Sequence, residues 1–314
     1  MRPLNWLYLN AVLPLSQKSK NRGLGQYFRE YSAMDHWSQE EVRARQWAAV
    51  QEMCRHAYES SPFYRARFDS VRLHPDDLRT PAELQALPYL TREDIRRNLP
   101  ELWSRRFKEE DLVEAATGGT TDTPVKLYRD AEVLPRKNAV QWALNAWADY
   151  LPGARVFWLW GAQVDYAVNP SWRWRLYERH VLRAHWAPTS LVNAEAFTKH
   201  LRAWNALRPE VVVAYPTPLT LFCEFLRESK ADFHRPRTVI CTAESLLDEQ
   251  RAVMRDVLGV EPFEHYGSRD VGMVAAECEM HAGLHAHPGA IYIETVPLAG
   301  QGVSYGHIYT TPED

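Results

Sequence analysis

Between residues 156 and 266 the chain alternates short runs rich in β-branched and aromatic residues with longer segments of helical length. This alternation restricts the fold more than any other feature. The β-rich runs are Val156–Trp160, Val211–Tyr215, Thr238–Thr242 and Pro262–Tyr266, and the stretches Asn193–Leu207, Pro218–Lys230 and Leu247–Leu258 are long enough for crossover helices. Strand–helix–strand alternation predicts an α/β fold with a parallel or mixed sheet covered on both faces by helices. Sites in such sheets lie beyond the C-terminal ends of the strands, where Gly161, Tyr215, Ala243, Glu244, Gly267 and Ser268 fall.

The flanking regions read differently. Ser38-Gln39-Glu40-Glu41 is a capping box, and the helix it opens carries Trp47, Val50, Cys54 and Ala57 at three- and four-residue spacing, which predicts a buried face. Thr80-Pro81-Ala82-Glu83 and Thr91-Arg92-Glu93-Asp94 repeat the start signal. Residues 1–110 are therefore expected to be a mainly helical region, 111–289 an α/β nucleotide-binding core, and 290–314 the start of a β subdomain, with strands at Ile291-Tyr292-Ile293-Glu294 and Gly306-His307-Ile308-Tyr309-Thr310. The apolar stretch Leu4 to Leu15 is broken by Asn5, Asn10 and Pro14 and reads as a surface-packing helix, with peripheral membrane contact open through Trp6, Leu7 and Tyr8.

A chain of 314 residues with 46% hydrophobic residues can bury a substantial core, in one large or two fused lobes. Its 37 basic and 40 acidic side chains leave a net charge of -3, so nothing draws it broadly to nucleic acid or an anionic membrane, and any anion site must be local. Cys54, Cys223, Cys241 and Cys278 lack the close spacing of a disulfide framework, which suits a reducing, cytoplasmic compartment.

Three segments carry chemistry. In Ala116-Thr117-Gly118-Gly119-Thr120-Thr121-Asp122-Thr123-Pro124-Val125-Lys126, glycines let backbone N–H groups converge on an anion, and hydroxyls add donors. Such a loop suits phosphate, the alternative being an ordinary Gly/Thr turn before a helix. The others are Cys241-Thr242-Ala243-Glu244-Ser245 and Glu264-His265-Tyr266-Gly267-Ser268-Arg269-Asp270-Val271-Gly272.

Taken in order, the three segments resemble the adenylate-forming superfamily, and within it the phenylacetate–CoA ligase-like branch that includes the capsular-polysaccharide CapK proteins. Ser61-Pro62-Phe63-Tyr64-Arg65 and Gly283-Leu284-His285 also look like this branch. In that family a Ser/Thr-Gly-Thr-Thr-Gly-x-Pro loop grips the ATP phosphates and a Tyr-Gly-x-Ser/Thr-Glu turn holds AMP and magnesium. The resemblance implies ATP-dependent activation of a carboxylate to an acyl-adenylate, with CoA as an acceptor if a thioester follows. It departs from the family at Asp122 in place of glycine, Arg269 in place of Ser/Thr, and Asp270 in place of glutamate. An acid at Asp122 repels triphosphate unless its side chain turns outward or a cation intervenes, and Asp270, one methylene shorter, would contact magnesium with a shifted backbone or through water.

The resemblance implies roles residue by residue. Thr117, Gly118, Gly119, Thr120 and Thr121 would hold the β- and γ-phosphates, Asp270 would help hold Mg2+, and Ala243, Glu244, Ser245, Tyr266, Gly267 and Ser268 would line ATP or AMP, with Tyr266 against the adenine. Thr120, Thr121 and Asp270 carry the catalytic expectation. Glu244 reads equally as a carboxylate at the N-terminus of the helix near Leu247, and Lys126 as a solvated strand residue. Trp158, Trp160, Gly161 and Tyr215 could line an acyl pocket or belong to the core; Trp160, Gly161 and Tyr215 are the favoured set. Cys278, His281, His285 and His287 fall within ten residues, a density that suits Zn2+ with Cys241 as a further ligand, or a polar strand turn.

Members of the family continue with a Tyr-Arg-x-Gly-Asp segment for the ribose and a small C-terminal lobe with a catalytic lysine. Neither is in this sequence, so a fragment or a shortened, impaired member is expected, a homodimer being open. The rival expectation is a non-catalytic nucleotide-binding scaffold in polysaccharide assembly.

Overall fold

The computed structural model describes residues 6–12, 23–116, 126–130, 133–161, 176–189, 192–268, 271–289 and 291–294. Its centre is a seven-stranded sheet in the order β4-β3-β5-β6-β7-β8-β9. The strands are β3 (Val156–Leu159), β4 (Ala184–Ala187), β5 (Val211–Ala214), β6 (Thr238–Thr242), β7 (Phe263–Ser268), β8 (Gly272–Glu277) and β9 (Leu284–Ala286), and a separate hairpin pairs β1 (Val113–Ala116) with β2 (Lys126–Arg129). β4, β3, β5, β6 and β7 run parallel, while β8 and β9 turn back antiparallel. The α/β class with a parallel-containing sheet is thus the observed architecture.

β5 and β6 are buried along their whole length, as central strands covered on both faces must be. Side chains alternate across the pleat. Val212, Ala214, Val239 and Cys241, with Phe157 of β3, face a core of Trp204, Phe222, Leu226, Met254 and Leu258, contributed by α6 (Ala194–Leu207), α7 (Pro216–Ser229) and α8 (Asp248–Leu258). Val211, Val213 and Ile240 face the other way, against Ala148, Tyr150 and Ala154. Removing one such large side chain from water is worth ~2 kcal/mol, so these two layers supply most of the driving force.

The helices begin and end where local chemistry dictates. Asn193 caps α6 by accepting from the Ala196 N–H at 2.9 Å, and α7 opens with Pro216 in its first turn, where a missing N–H costs nothing. α8 stops at Gly259, whose φ of 79° a Cβ-bearing residue would resist.

N-terminal to the sheet lie α1 (Leu24–Ala33), α2 (Gln39–Ser60), α3 (Pro62–Ser70) and α4 (Arg92–Leu102), and α5 (Val133–Trp147) lies against β8. Alanines 139 and 143 of α5 let α1 approach closely through Leu24, Phe28 and Tyr31. The Ser38 capping box forms: its Oγ accepts from Glu41 N–H at 3.3 Å, and its own N–H donates to the Glu41 carboxylate at 2.8 Å. The Thr91–Asp94 box forms in the same way.

The structure corrects several expectations. The α2 stripe Trp47, Val50, Cys54 and Ala57 is half-buried rather than buried, because α2 lies on the rim of the molecule. Residues 291–294 join no strand ladder; the Ile291 carbonyl instead accepts from Gln46 Nε2 at 3.3 Å, and Tyr292 packs edge-on to Trp47. Tyr8 cannot serve as a membrane contact, since its ring is buried over Gly153, while Trp6 and Leu7 are exposed. No helix among the described residues is long and apolar enough to cross a membrane. The strand expected at residues 306–310 lies outside the described residues.

Candidate active site

The sheet has one topological switch point. β3 sends its connection to β4 on one side, and β5 sends its connection to β6 on the other, so a crevice opens between the C-terminal ends of β3 and β5. Trp160 follows β3 and Tyr215 follows β5, and their rings tilt at 38° with centroids 4.6 Å apart. Main-chain bonds fix both: Trp160 N–H donates to the Ala187 carbonyl at 3.0 Å and Tyr215 N–H to the Leu159 carbonyl at 3.3 Å. Gly161 turns the chain out of the sheet with φ 63°, its carbonyl accepting from the Thr189 N–H and hydroxyl, each at 3.0 Å. The structure brings Trp160, Gly161 and Tyr215 together at the switch point. Trp158 stands one step back on β3, stacked on Trp186 of β4 at 6.3 Å.

Next along this edge, β6 ends and the chain emerges from a fully buried strand into three exposed residues, Ala243, Glu244 and Ser245. Ala243 has φ 71°, a left-handed conformation that costs a Cβ-bearing residue of order 1 kcal/mol and is common at ligand sites. The Glu244 carboxylate accepts from the Thr217 N–H at 3.3 Å and so caps the start of α7, not the helix near Leu247. Leu247 N–H is held instead by the Gln250 side chain, which also donates to the Thr217 hydroxyl at 3.3 Å.

Tyr266 on β7 is 52% exposed, leaving a ring face open beside this segment. Gly267 follows at a β-bulge, where an added Cβ would come within 2.7 Å of the Gly272 carbonyl, so the β7–β8 hairpin itself requires this glycine. Ser268 Oγ accepts from the Val271 N–H at 3.3 Å and is tied into the same turn. His265 points the opposite way from Tyr266; its ring is buried, its Nε2 has no partner among the described residues, and burial pushes its pKa down to about 3. Nothing in the residue pattern marks His265 for a role, although the in–out alternation of β7 places it behind Tyr266.

Several expected site residues lie outside the described residues: Thr117, Gly118, Gly119, Thr120, Thr121, Asp122, Arg269 and Asp270. Ala116 and Lys126 pair across β1 and β2, so the phosphate-type loop connects the strands of this hairpin. Lys126 Nζ lies 3.0 Å from Glu114 Oε1, an exposed pair that raises the lysine pKa.

The Cys/His cluster sits elsewhere. β8 runs back from the crevice, so Cys278 emerges at the opposite end of the sheet. Cys278 Sγ is 3.4 Å from His285 Nε2, but His281 Nδ1 is 3.1 Å from Glu277, and His287 Nδ1 accepts from Gly289 N–H at 3.1 Å. Cys241 is buried in the core with its thiol 3.6 Å from Met254 Sδ. Among the described residues no group of three or more His, Cys, Asp or Glu side chains could hold a metal ion. The expected zinc set is thus divided, with only Cys278 and His285 in contact.

The crevice combines a tilted aromatic pair, an open tyrosine face and a strained backbone turn at the strand ends, an arrangement suited to a flat ligand. No family model matches the chain. A phenylacetate-coenzyme A ligase of Aromatoleum evansii is 26% identical over 251 residues, covering 77% of this chain and 54% of that protein. One of Pseudomonas putida is 25% identical over 291 residues, covering 89% and 62%. Among solved structures, a 2-hydroxyisobutyryl-CoA ligase in the postadenylation state in complex with 2-HIB-AMP has a TM-score of 0.61 at 16% identity, over 79% of this chain and 54% of that one. The same ligase in complex with 2-HIB-AMP and CoA in the thioesterification state also gives 0.61. The chain spans between 54% and 62% of the length of the two curated relatives. Sequence likeness and fold both support the superfamily of adenylate-forming CoA ligases.

Proposed function

We propose that the chain contributes the nucleotide- and acid-binding part of an ATP-dependent acid–CoA ligase. The single observation that carries this reading is the crevice at the switch point, with the Trp160–Tyr215 pair on one side and Tyr266 with Ala243–Ser245 on the other. In the reaction a substrate carboxylate oxygen attacks the α-phosphorus of ATP, pyrophosphate leaves, and the acyl-adenylate passes its acyl group to the CoA thiol. Two anions must meet, so the protein's task is positioning and charge neutralisation.

Tyr266 offers its open ring to the adenine, and the half-buried Trp160 and Tyr215 rings border the acid. Thr117, Gly118, Gly119, Thr120 and Thr121 are the proposed phosphate cradle, and Asp270 is the proposed Mg2+ ligand; the ion would neutralise charge on the phosphates. Exposure of Tyr266 supports the nucleotide reading, and the Glu244 charge is partly met by the Thr217 N–H at the start of α7.

Titration calorimetry with ATP tests the reading. Thr120→Ala with Thr121→Ala, or Tyr266→Ala alone, is expected to weaken binding at least tenfold, about 1.4 kcal/mol, at unchanged melting temperature. Pyrophosphate exchange with a panel of aryl and short branched acids then reads out the adenylation step. Unchanged ATP affinity in both variants defeats the proposal, whereas nucleotide binding without exchange for any acid favours a scaffold.

A further inference from the structure

At the end of the sheet away from the crevice, α2, the segment 34–37, the end of α5 and the β8–β9 hairpin line a half-open cavity of about 1140 Å3. Its walls include Trp37, Trp47, Trp147 and Tyr292, and Cys278 and His285 open onto it. The two side chains are placed by backbone: His285 lies on β9 opposite Ala276, and the turn after β8 is closed by His281 N–H donating to the Cys278 carbonyl at 3.1 Å. Cys278 Sγ lies 3.4 Å from His285 Nε2. The imidazole is held in turn, since the Trp147 ring meets it edge-on at 6.0 Å and Trp147 Nε1 donates to Asp35 Oδ2 at 3.1 Å.

We propose that Cys278 and His285 form a thiol–imidazole pair that accepts an acyl group from an acyl thioester lodged in this cavity. His285 Nε2 takes the thiol proton and Sγ attacks the thioester carbonyl. The new C–S bond forms as the bond to the departing thiol breaks, and the imidazolium returns the proton to that thiolate, so no oxidant or reductant is needed. An activated nucleophile requires a base within hydrogen-bond reach, which His285 supplies to Cys278, and the edge-on Trp147 ring packs against that base. Aromatic walls favour an acyl group that is apolar and flat or branched. The other thiols are poor competitors: burial pushes Cys223 up to about 12 and raises Cys54 and Cys241 as well. The site is independent of the nucleotide reading, because it uses none of the crevice residues.

Incubating the whole chain with the phenylacetyl thioester of N-acetylcysteamine, followed by intact-mass measurement and peptide mapping, tests the pair. One hydroxylamine-labile acyl adduct on Cys278 is expected, absent in Cys278→Ser and formed at least tenfold more slowly in His285→Gln. The wild-type protein should acylate Cys278 far faster than Cys54, a comparison within one chain that needs no variant to fold. Trp47→Ala should narrow the preference for phenylacetyl over acetyl donors. Absence of an adduct, label spread over Cys54, or equal rates in His285→Gln overturns the proposal.

Discussion

A buried imidazole makes the fold sensitive to acid, and His265, whose Nε2 has no partner among the described residues, is the strongest case. Its folded form stays neutral down to about pH 3, whereas an unfolded histidine takes up a proton near 6.5. The stabilising difference is therefore complete above pH 6.5 and is lost as pH falls, because only the unfolded chain binds the proton. Between pH 6.5 and 5, before most carboxylates titrate, this one group should remove about 2 kcal/mol. His185, His200 and His287 are shifted in the same direction by burial and add to the slope. Urea unfolding at pH 7 and pH 5 checks this: His265→Leu should be measurably less acid-sensitive than the natural chain, and equal slopes would show that His265 finds a partner in solution. His265 also shows what a single residue type conceals. Its alternation with Tyr266 is readable, but the absence of a partner depends on β6 and β8 closing over it.

At the scale of elements, α8 is locked to the sheet by charge as well as by its apolar face. Arg251 donates through Nη2 to Glu277 Oε1 at 2.8 Å and through Nη1 to the Pro262 carbonyl at 2.6 Å, and Glu277 also accepts from the Glu264 N–H at 2.8 Å. The Glu277 side chain is 5% exposed, so removing its cation strands a buried carboxylate. Arg251→Met is expected to cost roughly 3–5 kcal/mol, and pairing it with Glu277→Leu should recover much of that loss; chemical denaturation of the single and double variants decides it. A double variant no better than the single one would mean that Glu277 is stabilised by its other donors. The elements that the sequence reveals well are those with local causes: the capping boxes at Ser38 and Thr91, and the wholly apolar runs of β5 and β6. β4, β8 and β9 escape such a reading because their residues, among them His185, Glu277 and His285, are tolerated in strands only by partners far along the chain. The opposite error occurs at Ile291–Glu294, where alternation suits a strand but α2 supplies the contacts.

The whole molecule separates its chemistry into two ends of one sheet. The crevice end is legible because topology dictates it: strands that alternate with crossover helices must expose their C-terminal ends, and Trp160, Gly161, Tyr215 and Ala243–Ser245 follow from the strand limits alone. The far cavity is not legible, since its walls come from residues as distant as Trp37 and Tyr292, and the local density of Cys278, His281, His285 and His287 reads as one metal set until the fold sends its members in different directions. β8 separates the two ends. At 3.4 Å per residue, the six steps from Gly272 to Cys278 put the thiol about 20 Å along the strand from Ser268, which pairs with Gly272, and about 10 Å from Tyr266, which pairs with Ala275. No described contact of the Cys278–His285 pair reaches the crevice, and a strand ladder offers no second discrete arrangement through which one end could bias the other. Carbamidomethylation of Cys278 should therefore change ATP affinity by less than twofold, and saturating ATP should leave the alkylation rate of Cys278 equally unaffected. Because coupling between sites is reciprocal, a tenfold change in ATP affinity on modification would amount to about 1.4 kcal/mol and would show that the two ends of the sheet act as one unit.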